Sequence, residues 1–323
     1  MPDAKKTSTT PAGRRRDGLG VTLVWGLLGL VARLPLGFHL AVFRVVAWYL
    51  EKIHHYRRDE LMTNLARSFP EKKYKELKRI RHGVYGHLAD LMAEAIWQCG
   101  NRGKRGLRRL HKARIVEIKN VAEVNRIYDV SPSLMLLCGH LGNWELLPGM
   151  MEMNYDEANP WHARPRDLAF VYKQIHSHLW DRIMEKNRCG IIRARDPEYD
   201  GYQESNRMLR YALEHRSEKR LYVFPADQFP YRGATRHDIG TFMNQPTLAM
   251  VGGPALASKL GMAVLYTRWT RLRRGRYTIE FVPITLNAKG MDPVDISRRY
   301  HALLEEDLQR QPENYLWTHK RWK

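Results

Sequence analysis

Cysteine is scarce in this chain. Cys99, Cys138 and Cys189 form an odd set with no CxxC pair and no regular spacing. That excludes a disulfide framework and a paired-thiol zinc site, and it fits reduced thiols facing the cytoplasm. A Gly-x-Ser-x-Gly elbow, a P-loop and a His-Glu-x-x-His helix are also missing. No serine nucleophile of the hydrolase kind, no metal and no nucleotide is therefore expected. RRM-type aromatic interleaving and a KH-type GXXG loop are lacking as well, so no nucleic acid is expected as partner. Acidic residues are in deficit, 34 against 54 basic ones, for a formal charge of +20. Such a balance calls for anionic partners, a membrane leaflet or an acidic protein among them.

Long apolar runs are the last absence. The first uncharged stretch, Leu19 to Ala32, has 14 residues, whereas a straight bilayer crossing needs about 20. Apolar residues nevertheless resume beyond Leu34-Pro35-Leu36-Gly37 and continue to Leu50, and Arg33, His39 and Arg44 lie inside the 19–50 segment. Proline breaks a helix, so 19–50 reads as two apolar helices and as a monotopic or re-entrant membrane anchor. A tilted single span and a buried hairpin are the competing readings. Basic residues flank both ends, so charge does not orient one crossing. The preceding residues 1–18 read as a disordered basic arm; no small-residue cleavage site closes the apolar segment as a signal peptide would require.

What is present is ample. Hydrophobic residues make up 44% of the chain and tryptophans number nine, enough for a packed core over 51–323. Leu61, Leu65 and Phe69 recur at helical spacing until Pro70, and 71–97 reads as a second helix. Residues 101–114 carry seven Lys or Arg around two glycines, either a solvated loop or a patch facing phosphates. From 114 onward strands alternate with helices. Strands are expected at 114–120, 133–139, 168–173, 220–227, 262–270 and 276–285, with helices near 120–129, 176–188, 203–215 and 247–260. This alternation predicts an α/β fold, a mainly parallel central sheet with helices on both faces. The basic loop 271–275 suggests that the last two strands form an antiparallel edge hairpin.

In such sheets ligands gather at the carboxyl ends of strands. His140 follows one buried strand and Asp227 another, so the two are expected to be neighbours. Within Cys138-Gly-His-Leu-Gly-Asn-Trp-Glu145, Gly142 supplies a turn and Asn143 an N-cap. Glu145 on the next turn would then accept the Nδ1 proton of His140. That fixes the tautomer whose Nε2 can take a proton from a hydroxyl, the logic of a base and its orienter.

Several stretches in one order resemble the late acyltransferases of lipid A biosynthesis, the lauroyl/myristoyl transferase family of the HxxxxD/E lysophospholipid acyltransferase superfamily. They are NLARSFPE (64–71), LLCGHLGNWELL (136–147), VYKQIHSHLWDRIMEKNRCGIIRA (171–194), FPADQ (224–228) and PENYLWTHKRWK (312–323). The resemblance implies a glycerolipid-acyltransferase-like fold behind the anchor. It implies transfer of a fatty acyl chain from acyl-carrier protein to a hydroxyl of a lipid A precursor, at the cytoplasmic face of the bacterial inner membrane. It makes His140 the general base, Glu145 its partner and Asp227 the third polar group, positioning either His140 or a sugar. Lys173, Asn143, Gln228 and Arg188 would line the substrate site. Acyl-carrier protein, lipid acceptor and anionic membrane are the implied partners, and no cofactor is.

Two departures bear on the acceptor. Lys173-Gln174 stands where the family has Arg-Pro, which keeps the charge but loses the bidentate fork. GTFMNQPTLA (240–249) replaces a Pro-Phe-Phe-Gly block. The same chemistry on a lysophospholipid, an aminolipid or a phosphatidylinositol mannoside is the near alternative. A non-catalytic, membrane-anchored protein binding anionic lipid or RNA is the alternative of another class. The closing His-Lys-Arg-Trp-Lys reads either as an interfacial clamp with Trp317 and Trp322 at head-group depth or as a packed terminal segment.

Overall fold

A computed structural model describes residues 17–231 and 234–322. The expected basic arm, apart from Asp17 and Gly18, lies outside the described residues. Helices α1 (Leu19–Val31) and α2 (Leu36–Lys52) follow, then α3 (Arg58–Ser68), α4 (Tyr74–Gln98) and α5 (Gly103–Ala113). The α/β part runs β1 (Val116–Ile118), α6 (Val121–Val130), β2 (Leu134–Cys138), β3 (Leu168–Tyr172), α7 (His178–Arg195), β4 (Tyr202–Glu204), α8 (Met208–Glu214) and β5 (Leu221–Pro225). It closes with β6 (His237–Phe242), β7 (Gln245–Ala249), α9 (Gly252–Leu260), β8 (Ala263–Arg273), β9 (Arg276–Thr285) and α10 (Pro293–Arg310).

Seven strands form one sheet in the order β1-β9-β8-β2-β5-β3-β4, parallel at every pairing except β8 with β9. The mainly parallel α/β sheet is as expected. β2 lies near its middle, and all five of its residues are buried, as a strand covered on both faces requires. Its leucines favour helix on propensity alone, but Pro132 and Gly139 bound the run too tightly for one.

Three expectations need correction. The β8–β9 hairpin is not at the edge: β8 pairs with β2 and β9 with β1, leaving the three-residue β1 outermost. Residues 247–251 are not helical. β7 pairs back on β6 through Met243 and Asn244, whose φ values of +52° and +60° are those of a tight hairpin turn. Finally, the basic cluster is the helix α5 rather than a loop. Gly106 there faces the backbone of Asn101, where a Cβ would lie 2.3 Å from the carbonyl carbon. Arg102 stacks 3.9 Å above Trp25 and donates to its carbonyl, and Arg109 covers Trp97 at 4.2 Å. Lys104, Arg105, Arg108 and Lys112 remain exposed.

The two apolar N-terminal helices meet at a break before Pro35 and bend by 108°. Among the described residues no single helix is long and apolar enough to cross a membrane; this bent pair passes by length and composition only. Leu19, Leu23, Leu27 and Leu30 lie along one face of α1 and are 58–78% exposed. Phe38, Val42, Val45 and Tyr49 repeat the pattern on α2, whose other side packs on α4.

The closing aromatic segment is packed. Trp317 is 1% exposed, meets Phe69 edge-on at 5.7 Å and Trp322 at 6.4 Å, and Arg321 is buried and donates to the Leu248 carbonyl. Of the two readings of this segment, the interfacial clamp is ruled out for Trp317. Trp317→Ala should cost about 3–5 kcal/mol of stability, measured by urea unfolding. A loss under ~1 kcal/mol would mean that the segment is peripheral.

Candidate active site

The site starts from a register. In the parallel β2–β5 pair, Cys138 stands opposite Pro225, so His140 and Asp227, each two residues further, emerge at one level. The Asp227 carboxylate spans that gap. One oxygen lies 2.7 Å from His140 Nδ1 and the other accepts the His140 backbone N–H at 2.9 Å. Asp227 is 1% exposed. Its neighbours explain why it stays ionised there. Burial opposes its charge, yet His140's charge and hydrogen bonds, with Arg321 behind them, hold its carboxyl far below the usual carboxylate range.

His140 feels the reverse balance. Burial alone would lower its pKa, but the Asp227 charge and hydrogen bond, helped by Glu145, raise it above the ordinary value. Since Nδ1–H donates to Asp227, the neutral ring carries its lone pair on Nε2. The Gln228 amide nitrogen lies 2.9 Å from that atom. The Trp144 ring stands edge-on to the imidazole at 4.8 Å.

The structure thus corrects the orienter. Glu145 does not take the Nδ1 proton; Asp227 does. Beyond Asn143 the chain enters a 3₁₀ segment, Trp144–Met153, which carries Glu145 toward α7. There Arg188 clasps it with two bonds of 2.6 and 2.7 Å, and the Trp144 indole adds a third at 3.0 Å. Burial would raise the Glu145 pKa, but Arg188 outweighs it and the net shift is downward. Arg188 also donates to the Tyr202 hydroxyl at 2.9 Å, and Tyr202 stacks on Tyr172 at 4.1 Å. The Arg188 charge is therefore answered within the protein.

Asn143 is corrected too. Its side chain makes no cap bond; it is fully buried and donates to Glu94 Oε2 at 2.5 Å. The other Glu94 oxygen accepts from the Tyr277 hydroxyl at 3.1 Å. Burial, only partly offset by the Asn143 bond, pushes the Glu94 carboxyl up to about 7. Lys173 lies just past β3, exposed, its ammonium 4.4 Å above the Tyr231 ring.

One further support was not assigned from the sequence. The terminal segment brackets the loop: Leu316 N–H donates to His140 O at 3.1 Å, and Gly142 N–H donates to Asn314 O at 2.9 Å. Tyr315 and His319 from the same segment feel the Asp227 charge, and burial holds His319 down at about 4. Gly142 cannot be replaced easily, because its φ is +61° and a Cβ would sit 2.8 Å from the Trp269 ring. The turn expected at Gly142 is therefore present.

Replacing Asp227 by Asn removes the anion that favours the imidazolium, so the His140 pKa should fall below its wild-type value, measured by NMR titration. An unchanged pKa would mean that Asp227 does not control the ring.

No curated protein matches the chain. A family model for bacterial lipid A biosynthesis acyltransferase does, over residues 14–323. That span includes the sheet, the His140–Asp227 pair and the terminal segment that brackets them. The chain belongs to the bacterial lipid A biosynthesis acyltransferase family.

Proposed function

We propose that the protein moves a fatty acyl chain from acyl-carrier protein to a hydroxyl of a lipid A precursor, with His140 as general base and no covalent enzyme intermediate. The observation that carries this reading is the unequal engagement of the two His140 nitrogens. Nδ1 is tied to a buried carboxylate, whereas Nε2 meets only the neutral Gln228 amide, which a substrate hydroxyl can replace. An acceptor hydroxyl donating to Nε2 becomes nucleophilic as it loses its proton, and attacks the thioester carbonyl directly. The resulting imidazolium is stabilised by Asp227 and later protonates the departing thiolate. Glu145 and Arg188 form a neutral pair along one wall, fixing the 3₁₀ segment and adding Glu145's field to the imidazolium. Lys173, exposed just past β3, supplies a cation for an acceptor phosphate. Buried thiols suit this scheme: burial pushes Cys138 well above its usual pKa, so it is no competing nucleophile.

The proposed location is the cytoplasmic face of the inner membrane, with α1 and α2 lying in the leaflet. Their exposed leucine and aromatic faces, bent through 108°, support an in-plane or re-entrant seat. The +20 charge and the exposed cations of α5 suit both an anionic leaflet and an acidic carrier protein.

Purified protein given acyl-carrier thioester and a radiolabelled, under-acylated lipid A precursor should yield the more acylated product. His140→Ala should lose at least ~10²-fold in rate; a wild-type rate would remove His140 as base. Acceptor lipids other than lipid A, supplied in the same assay, would show a different acceptor if only they were acylated. Because only neutral His140 accepts a proton and Asp227 raises its pKa, the acid limb of kcat/KM should lie above ~6.5. In Asp227→Asn the limb should move to lower pH while the plateau drops ~10²–10⁴-fold. An unmoved limb would contradict the assignment. Flotation with anionic vesicles should weaken at least ~10-fold in a Leu23→Asp, Leu27→Asp variant; equal binding would refute the α1 contact.

A further inference from the structure

Gln228 stands where the acceptor has to arrive. In neutral His140 the Nε2 atom has one lone pair, and the Gln228 carboxamide donates to it at 2.9 Å. A substrate hydroxyl needs that same lone pair. Two donors cannot share it at full strength, so the amide leaves as the hydroxyl enters.

The displaced amide then lies beside the developing charge. The oxygen that loses its proton to Nε2 is bonded to the attacked carbon, and the oxyanion forms on that carbon. A donor within hydrogen-bond reach of Nε2 is therefore one side-chain swing from the oxyanion. Four neighbouring donors are already committed. The His140 N–H goes to Asp227, the Gly142 N–H to Asn314, the Asn143 amide to Glu94, and the Arg188 guanidinium to Glu145 and Tyr202. Gln228 differs from these because the substrate itself releases it. Its backbone is held close by Asp227, the preceding residue, which both His140 bonds fix in place.

We propose that Gln228 is a catalytic residue with two stations: it caps the base in the free enzyme, then donates its amide to the oxyanion. The inference rests on acyl transfer with His140 as base. In the step, the acceptor oxygen bonds to the carbonyl carbon and its proton passes to Nε2. The carbonyl π pair becomes the oxyanion that Gln228 binds. On collapse the C–S bond breaks, the sulfur takes the proton from His140, and the neutral ring regains its Gln228 cap.

The test compares wild type, His140→Ala, Gln228→Ala and the near-isosteric Gln228→Glu in the acyl-carrier assay, with an NMR titration of His140 in each Gln228 variant. Gln228→Ala should lose ~10²-fold in kcat, the scale of one oxyanion donor, with acceptor KM no higher than wild type. Its His140 pKa should rise, because a donor favouring the neutral ring is gone. Gln228→Glu, which preserves shape, should raise that pKa further and lose at least as much kcat. If Gln228→Ala turns over within two-fold of an active wild type while His140→Ala fails, Gln228 has no such role. An unshifted His140 pKa would remove the capping station. A wild type that transfers no acyl group overturns the acyl-transfer reading itself, and this proposal with it.

Discussion

One buried carboxylate carries the arrangement. Asp227 bonds His140 twice, through the ring and through the backbone. It therefore fixes the place of the loop, the orientation of the imidazole and its tautomer together. A carboxylate taken out of water is costly unless its oxygens are satisfied, and both Asp227 oxygens are. The parallel register of β2 and β5 is what makes this possible, since the two residues leave the sheet at the same height. A one-residue slip would turn either side chain to the opposite face of the sheet.

Around that interaction the fold is built in layers. The terminal segment clamps the loop through Asn314 and Leu316, and Trp269 closes the space beneath Gly142. Glu94 and Asn143 hold it from the side of α4, which also packs on α2. The β8–β9 turn ties in the same helices. Asp90 of α4 is bonded by Arg271 and Arg274, and Arg274 reaches the Leu40 carbonyl of α2 at 2.7 Å. Helix α2 is thus tied to α4, the same helix that holds the reactive loop through Glu94. Through these contacts the surface proposed to meet lipid is fixed relative to the histidine.

Much of this was legible in the sequence, for physical reasons. Buried strands announce themselves as short apolar runs between turn residues, and all six expected strands of the main sheet are present. That His140 and Asp227 would meet followed from both ending such strands. What failed was inference along the chain. Glu145 is close to His140 in sequence, so it looked like the ring's partner, but a 3₁₀ segment turned it toward Arg188. The partner came instead from 87 positions away, and sheet register is invisible without the third dimension. The terminal tryptophans left two readings open for another reason. Aromatic and basic residues together suit a membrane interface and a packed clamp equally, and only the partners, Phe69 for Trp317 and the Leu248 carbonyl for Arg321, decide. The basic stretch 101–114 hid a helix because its glycines read as loop, whereas Gly106 is a packing requirement.

The central claim is that Asp227, and not Glu145, sets the His140 tautomer. Nitrogen-15 shifts of the His140 ring, recorded above its pKa, report this directly. The account predicts a protonated Nδ1 and a bare Nε2 in the wild type, the same pattern in Glu145→Gln, and a mixture of tautomers in Asp227→Asn. A wild-type ring protonated at Nε2, or a pattern disturbed by Glu145→Gln and untouched by Asp227→Asn, would contradict it.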